Sequence, residues 1–180
     1  MTHLTIDLDY FIYPSSESCY DQGVSLLNKV KSLKVPLIVK RHHHHILPYI
    51  NKYKFDKIIN VDYHSDIVHD ILLEDDDTKL DLNCGTWANF YKHKESCIFE
   101  WRHPVKRIDF TNLCDDEFKG LRKKYISYFD VTHKFGFSKI PTELHSVSIA
   151  LSEDYCDYDL FDSITREFNW LYHGHKRYMK

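Results

Sequence analysis

The chain has 180 residues, 43% of them hydrophobic and 15% aromatic, which suits one folded domain with a substantial core and would leave two domains each cramped. A formal net charge of -3 removes any whole-chain electrostatic case for binding nucleic acid or an anionic membrane. No apolar run approaches the ~18–20 residues that span a bilayer, and Met1-Thr2-His3-Leu4 lacks the basic and apolar regions of a signal peptide, so the expectation is a cytoplasmic protein.

Apolar runs separated by longer mixed segments recur along the chain, the pattern of an α/β fold whose mostly parallel sheet is covered on both faces. The first run predicts a strand over 3–8 that closes in Thr5-Ile6-Asp7-Leu8-Asp9-Tyr10-Phe11, where alternation puts Asp7 and Asp9 on one face. Ser16 to Leu33 follows, with Val24, Leu27, Val30 and Leu33 at helical spacing and Ser and Glu suited to capping at its start. A helix there closes a right-handed crossover to a strand over 35–40. That strand runs into four consecutive histidines, His42 to His45, which lie between apolar runs rather than at a terminus and read as native.

Ile46 to Tyr53 predicts a short helix, and a third strand over 57–62 leads into Asp62, His64 and Asp66. The run Glu74-Asp75-Asp76-Asp77 reads as a solvated loop. Gly85 to His93 predicts another short helix, followed by strands over 96–101, 105–110 and 145–151 and a closing helix from Asp157 to Tyr172. The 145–151 strand passes into Ser152-Glu153-Asp154-Tyr155, with its carboxylates after the strand. Cys19, Cys84, Cys97, Cys114 and Cys156 are odd in number and form no Cys-x-x-Cys pair, which argues for reduced, structural thiols rather than a disulfide scaffold or thiolate zinc site.

Asp-x-His-x-Asp directly after an apolar run is a metal-ligand spacing. In an extended segment Asp62, His64 and Asp66 would project to one side, where hard carboxylates and an imidazole can share a divalent cation. Functional groups of an open α/β sheet gather beyond the carboxyl ends of its strands, so Asp7, Asp9 and the histidine run are expected at the same edge. Carboxylates gathered there would repel unless a cation neutralised them. The donor set suits one or two ions of Mn²⁺, Fe²⁺ or Zn²⁺, which lower the pKa of bound water and make hydrolysis the natural chemistry. Leaving-group departure needs a proton carrier, with His69, His103, His133 and His145 as candidates among which the sequence does not choose. His69 is taken with Asp62, His64 and Asp66 as the catalytic set. Trp87 and Trp101 read as core rather than as a substrate platform.

These residues resemble the arginase and histone deacetylase superfamily, whose strand ends bear Asp-x-His-x-Asp, an upstream metal-binding His and a separate Asp-x-Asp. More closely, the chain is similar to an uncharacterised ureohydrolase-like family, through His43 to Pro48, Asp62 to Asp66, Thr86-Trp87 and Trp101-Arg102-His103-Pro104, a span of roughly residues 36 to 105. The resemblance implies one three-layer α/β/α domain over 1–180, with His43 as the upstream ligand and His44 as its register alternative. The late Asp-x-Asp position reads Ile149-Ala150-Leu151-Ser152, without either carboxylate, whereas Asp7 and Asp9 stand at the amino terminus. A permuted strand order would bring them to the same site; otherwise the site is mononuclear or inactive.

The function implied is metal-dependent hydrolysis of a carbon–nitrogen bond, an amide or guanidinium, in a small-molecule or peptide substrate. A metal-dependent phosphoesterase is the second enzymatic reading, and Asp7-Leu8-Asp9 also resembles the nucleophile pair of haloacid-dehalogenase-type phosphatases. Ala150 and Ser152 favour a third, a non-catalytic binding module on a degenerate hydrolase scaffold. Basic and aromatic residues from Arg166 to Lys180 suit a helix terminus, and nucleic acid is not the expected partner. Nothing in the sequence sets an oligomeric state.

Overall fold

Among the described residues six strands form one sheet: β1 (Thr2–Asp7), β2 (Leu37–Lys40), β3 (Lys57–Val61), β4 (Ile98–His103), β5 (Asp130–Phe135) and β6 (Ser146–Ala150). Their order is β2-β6-β1-β3-β4-β5, and every neighbouring pair is parallel. The structure, a computed structural model, describes residues 1–12, 17–62, 64, 66–67, 82–103, 130–135 and 140–171. The expected strands at 3–8, 35–40, 57–62, 96–101 and 145–151 are present within a few residues, while 105–110 lies outside the described residues. Sequence reading missed β5, whose Asp-Val-Thr-His-Lys-Phe is mixed in character. Among the described residues it pairs on one side only, with β4, and its sequence carries no apolar run.

Parallel strands need crossovers, and the helix Glu17–Ser32 carries the chain from β1 to β2. Its Leu26, Leu27 and Val30 are buried in one core with Leu4, Ile6 and Leu8, Ile59 and Val61, and Val147 and Ile149. Phe161 and Ile164 join them from the helix Tyr158–Glu167, which Asp157 caps by accepting the Leu160 N–H at 3.1 Å. Each such side chain contributes about 1.5–3 kcal/mol on burial. The four-residue helix Asp9–Ile12 packs on Glu17–Ser32, where a Cβ added at Gly23 would stand 2.5 Å from the Phe11 ring. Gly23 is therefore what lets the turn that starts at Asp9 sit down on the core.

Strand alternation sends Ile58, Phe99 and Trp101 to a second core on the other side. There Ile46, Leu47 and Ile50 arrive from a 3₁₀ turn (His43–Ile46) and the short helix Leu47–Ile50, and Trp87 and Ala88 from a second 3₁₀ turn (Trp87–Phe90). The short helices expected over Ile46–Tyr53 and Gly85–His93 are thus each about a turn long. Pro48 suits the helix start, and Asn89 is spent on a tertiary bond to the Ile67 carbonyl.

This second face is polar along β1 and β6. His3 is fully buried, with Nδ1 2.8 Å from Ser146 Oγ and Nε2 2.9 Å from Ser148 Oγ. Burial, with smaller contributions from His43 and His145, pushes the His3 pKa down to about 3, so it is held neutral. The polar column rises from His3 through Thr5 to Asp7, at the carboxyl end of the central strand. Among the described residues no helix is long and apolar enough to cross a membrane, and Cys84, Cys97 and Cys156 are free thiols.

Candidate metal centre

The chain leaves β1 towards β2 on one side of the sheet, while β3 lies on the other. The carboxyl ends of β1 and β3 therefore flank the crevice where open α/β sheets bind ligands. Register pairs Ile6 with Val61, so Asp7 and Asp62 stand level at its two lips. Both strands stop at this point for the same local reason. Asp7 Oδ1 accepts the Asp9 N–H at 3.2 Å, and Asp62 Oδ1 accepts the His64 N–H at 2.8 Å, turns that Asp side chains stabilise.

The extended presentation expected of Asp7 and Asp9, and of Asp62, His64 and Asp66, is accordingly not what forms. Asp9 opens a helical turn, and Asp66 has a left-handed backbone with φ 58°. Turning separates the residues into two positions. Asp7, His43, Asp62 and Asp66 make one buried group, and Asp9, Asp62 and His64 a second, each with its ligand atoms within 4.8 Å of one another.

In the first group His43 Nδ1 lies 2.6 Å from Asp66 Oδ2, 3.1 Å from Asp62 Oδ2 and 3.3 Å from Asp7 Oδ2. Despite these approaches, Nδ1 has no aligned hydrogen bond, and neither does the buried Oδ1 of Asp9. Donors about 2.0–2.2 Å from a shared cation stand about 3.0–3.5 Å apart; the Asp62 and Asp7 approaches match that spacing, and the closer Asp66 approach is that of a direct ion pair. Burial and the charges of Asp66 and Asp7 raise the Asp62 pKa well above the carboxylate range; burial, Asp7 and Asp62 do the same to Asp9. Burial alone would lower His43, but Asp66, Asp62 and Asp7 outweigh it and hold its pKa well up. Likewise His64, with Nδ1 3.2 Å from Asp9 Oδ2, is raised to about 9 against burial. Fully ionised, its four carboxylates would outnumber its two imidazoles, and the donor set fits a divalent cation of the Mn²⁺, Fe²⁺ or Zn²⁺ type.

Surrounding groups fix these donors. Trp87 Nε1 donates to Asp66 Oδ2 at 2.5 Å, and Ala88 N–H donates to the Asp66 carbonyl at 3.2 Å, which over-determines the left-handed residue. Ser152, also left-handed at φ 46°, donates its hydroxyl to Asp7 Oδ2 at 2.7 Å. Asn60 Nδ2 donates to Asp62 Oδ2 at 3.3 Å, and Trp101 Nε1 to the Asp62 carbonyl at 3.0 Å. Trp87 and Trp101 are core residues as expected, and their indole N–H groups also hold the ligand loop.

His43 follows β2 yet reaches Thr5 and Asp7 on β1, with β6 between them. Between them Ala150 is the register partner of both Asp7 and Lys40, and alternation puts its small side chain on the same face as Ser146 and Ser148.

His44 does not join either group; its ring packs against His42 and His45. His145 is at the amino end of β6, roughly 15 Å along the strand from the site, and does not serve as its proton carrier. His69, in the catalytic set, lies outside the described residues, as do the side chains of His103 and His133, the acidic run 74–77 and the tail 172–180. Sequence reading missed Thr5, Asn60 and Ser152. A period-two reading back from Asp7 and Asp62 would have found the first two, whereas Ser152 depends on β6 lying beside β1.

The second group faces an open pocket of about 160 Å³ whose walls include Asp66, Asn83, Cys84, Gly85, Ser152 and Tyr155. Cys84 Sγ and the Tyr155 hydroxyl meet at 3.2 Å on its rim. No protein-family model, curated protein or solved structure matches the chain.

Proposed function

We propose that the chain is a metal-dependent hydrolase of a carbon–nitrogen bond, an amide or a guanidinium, in a small-molecule or peptide substrate, of the arginase and deacetylase type. The observation that carries this reading is His43 Nδ1 facing Asp7, Asp62 and Asp66, with Asp62 shared by the Asp9 and His64 group beside it. Asp7, His43, Asp62 and Asp66 would hold one ion, and Asp9, Asp62 and His64 a second. When bound, such ions supply water of lowered pKa and Lewis-acid polarisation of the group under attack. The neighbourhood of Asp7 and Asp9 with Asp62, across adjacent parallel strands, supports a permuted arginase-like order in which the amino-terminal Asp-x-Asp serves the late position.

The chain's own residues supply orientation and a protected floor. Ser152 and Trp87 hold Asp7 and Asp66, and the buried inner group strengthens every charge interaction at the pocket base. A pocket of about 160 Å³ admits the end of a substrate rather than a large rigid body. Among the described residues lining it there is no Lys or Arg, which favours a neutral or cationic carbon–nitrogen group over a phosphate ester, whose charge such residues usually meet.

The test is turnover of a panel of amides, guanidines and generic phosphate esters by Mn²⁺-, Fe²⁺- or Zn²⁺-loaded protein and by Asp9→Asn. Release of amine, ammonia or urea by the wild type alone is the expected result. Turnover of phosphate esters only would replace this reading with a phosphoesterase. Metal uptake with no turnover of any class would leave a binding module.

A further inference from the structure

We infer that Thr5 is a positioning residue of the metal centre, its hydroxyl accepting the Nε2–H of His43 so that the Nδ1 lone pair faces the carboxylates. This rests on the metal-centre reading above. His43 is fully buried, and its Nε2 lies 2.5 Å from Thr5 Oγ1, itself fully buried. A neutral imidazole carries one N–H, and the nitrogen that keeps it is set by which has an acceptor. A cation held between Nδ1 and Asp7, Asp62 and Asp66 would need the Nδ1 lone pair, and the proton left on Nε2 then has the Thr5 hydroxyl in place as its acceptor.

The arrangement follows from strand geometry. Thr5 and Asp7 alternate on β1, about 6–7 Å apart on one face, and so bracket the ring from its two nitrogens. Thr is also stiff at χ1, which holds the hydroxyl in place between the neighbouring strands' Asn60 and Ser148. Partners that fix the far nitrogen of a metal-binding histidine typically change metal affinity by roughly 10–100-fold.

The experiment is Zn²⁺ titration of the wild type, Thr5→Val and Thr5→Ser, with nitrogen NMR of protein labelled at its histidine rings. Thr5→Val keeps the shape but removes the acceptor, and should weaken one of the bound equivalents by roughly 10–100-fold. Thr5→Ser should restore most of that loss, which a purely packing role for the methyl group would not do. In the wild type, NMR should find Zn²⁺ on Nδ1 of His43 with the proton on Nε2, a readout that needs no variant to fold. Zn²⁺ bound through Nε2, or Thr5→Val binding as tightly as the wild type, would overturn the inference alone. A wild type that takes up no Zn²⁺ would overturn the metal-centre reading and this inference with it.

Discussion

Asp7 and Asp62 close adjacent parallel strands in the same way. Each turns its Oδ1 to the N–H two residues on and leaves its Oδ2 to face His43. One oxygen ends the strand and the other builds the site, so Asn at either position would keep much of the turn while removing the charge. Asp62→Asn should therefore fold and, without metal, be at least as stable as the wild type, because a buried carboxylate beside Asp66 and Asp7 is lost. With metal the order reverses: ligand at 100 times its Kd stabilises the wild type by about 2.7 kcal/mol. Thermal melts with and without Mn²⁺ or Zn²⁺ check this, and an equal metal response in both proteins would contradict it.

Ala150 stands between Lys40 and Asp7 in register, on the strand that separates His43 from β1. Ala150→Leu should displace the imidazole and cost about 1–3 kcal/mol of stability through overpacking. The ion assigned to Asp7, His43, Asp62 and Asp66 should be lost or weakened. Metal analysis beside a denaturant melt distinguishes this from simple destabilisation. Full metal content in the folded variant would contradict this.

Gly23 supports the site from the opposite face. Gly23→Ala forces a Cβ into the Phe11 ring and should destabilise by about 1–3 kcal/mol, despite alanine's better helix propensity. A more stable variant would mean that Phe11 yields freely.

His3 makes a pH prediction of definite sign. Its folded pKa is about 3 against 6.5 unfolded, so below 6.5 the unfolded chain takes up a proton that the folded chain refuses. The stability of the neutral, serine-bonded imidazole is fully present above pH 6.5 and is lost as pH falls towards 3. Relative to His3→Gln, which bonds but does not titrate, the wild type should lose up to about 1.4 kcal/mol per pH unit in that window. A stability difference that stays constant with pH would contradict it.

Much of the fold was legible because strands buried on both faces are read directly from runs such as Leu37-Ile38-Val39 and Ile58-Ile59-Asn60-Val61. The candidate donors Asp7, Asp9, His43, Asp62, His64 and Asp66 were legible because Asp and His recur at spacing two at the strand ends. How they divide was not, since Asx turns at Asp7 and Asp62 replace extended strand and send Asp9 and His64 to a separate position. The choice of His43 over His44 likewise required Thr5 on β1 to meet one ring and not the other. β5 escaped because Asp-Val-Thr-His-Lys-Phe carries no apolar run, and Ser152 because only the β6 neighbour relation brings it to Asp7.

The central claim is a two-position metal centre that shares Asp62, and elemental analysis of untagged, reconstituted protein tests it most directly. The wild type should hold two equivalents of Mn, Fe or Zn, His64→Ala one, and Asp62→Ala fewer than His64→Ala, since Asp62 belongs to both groups. No bound metal in the wild type, or unchanged content in Asp62→Ala, would contradict the account.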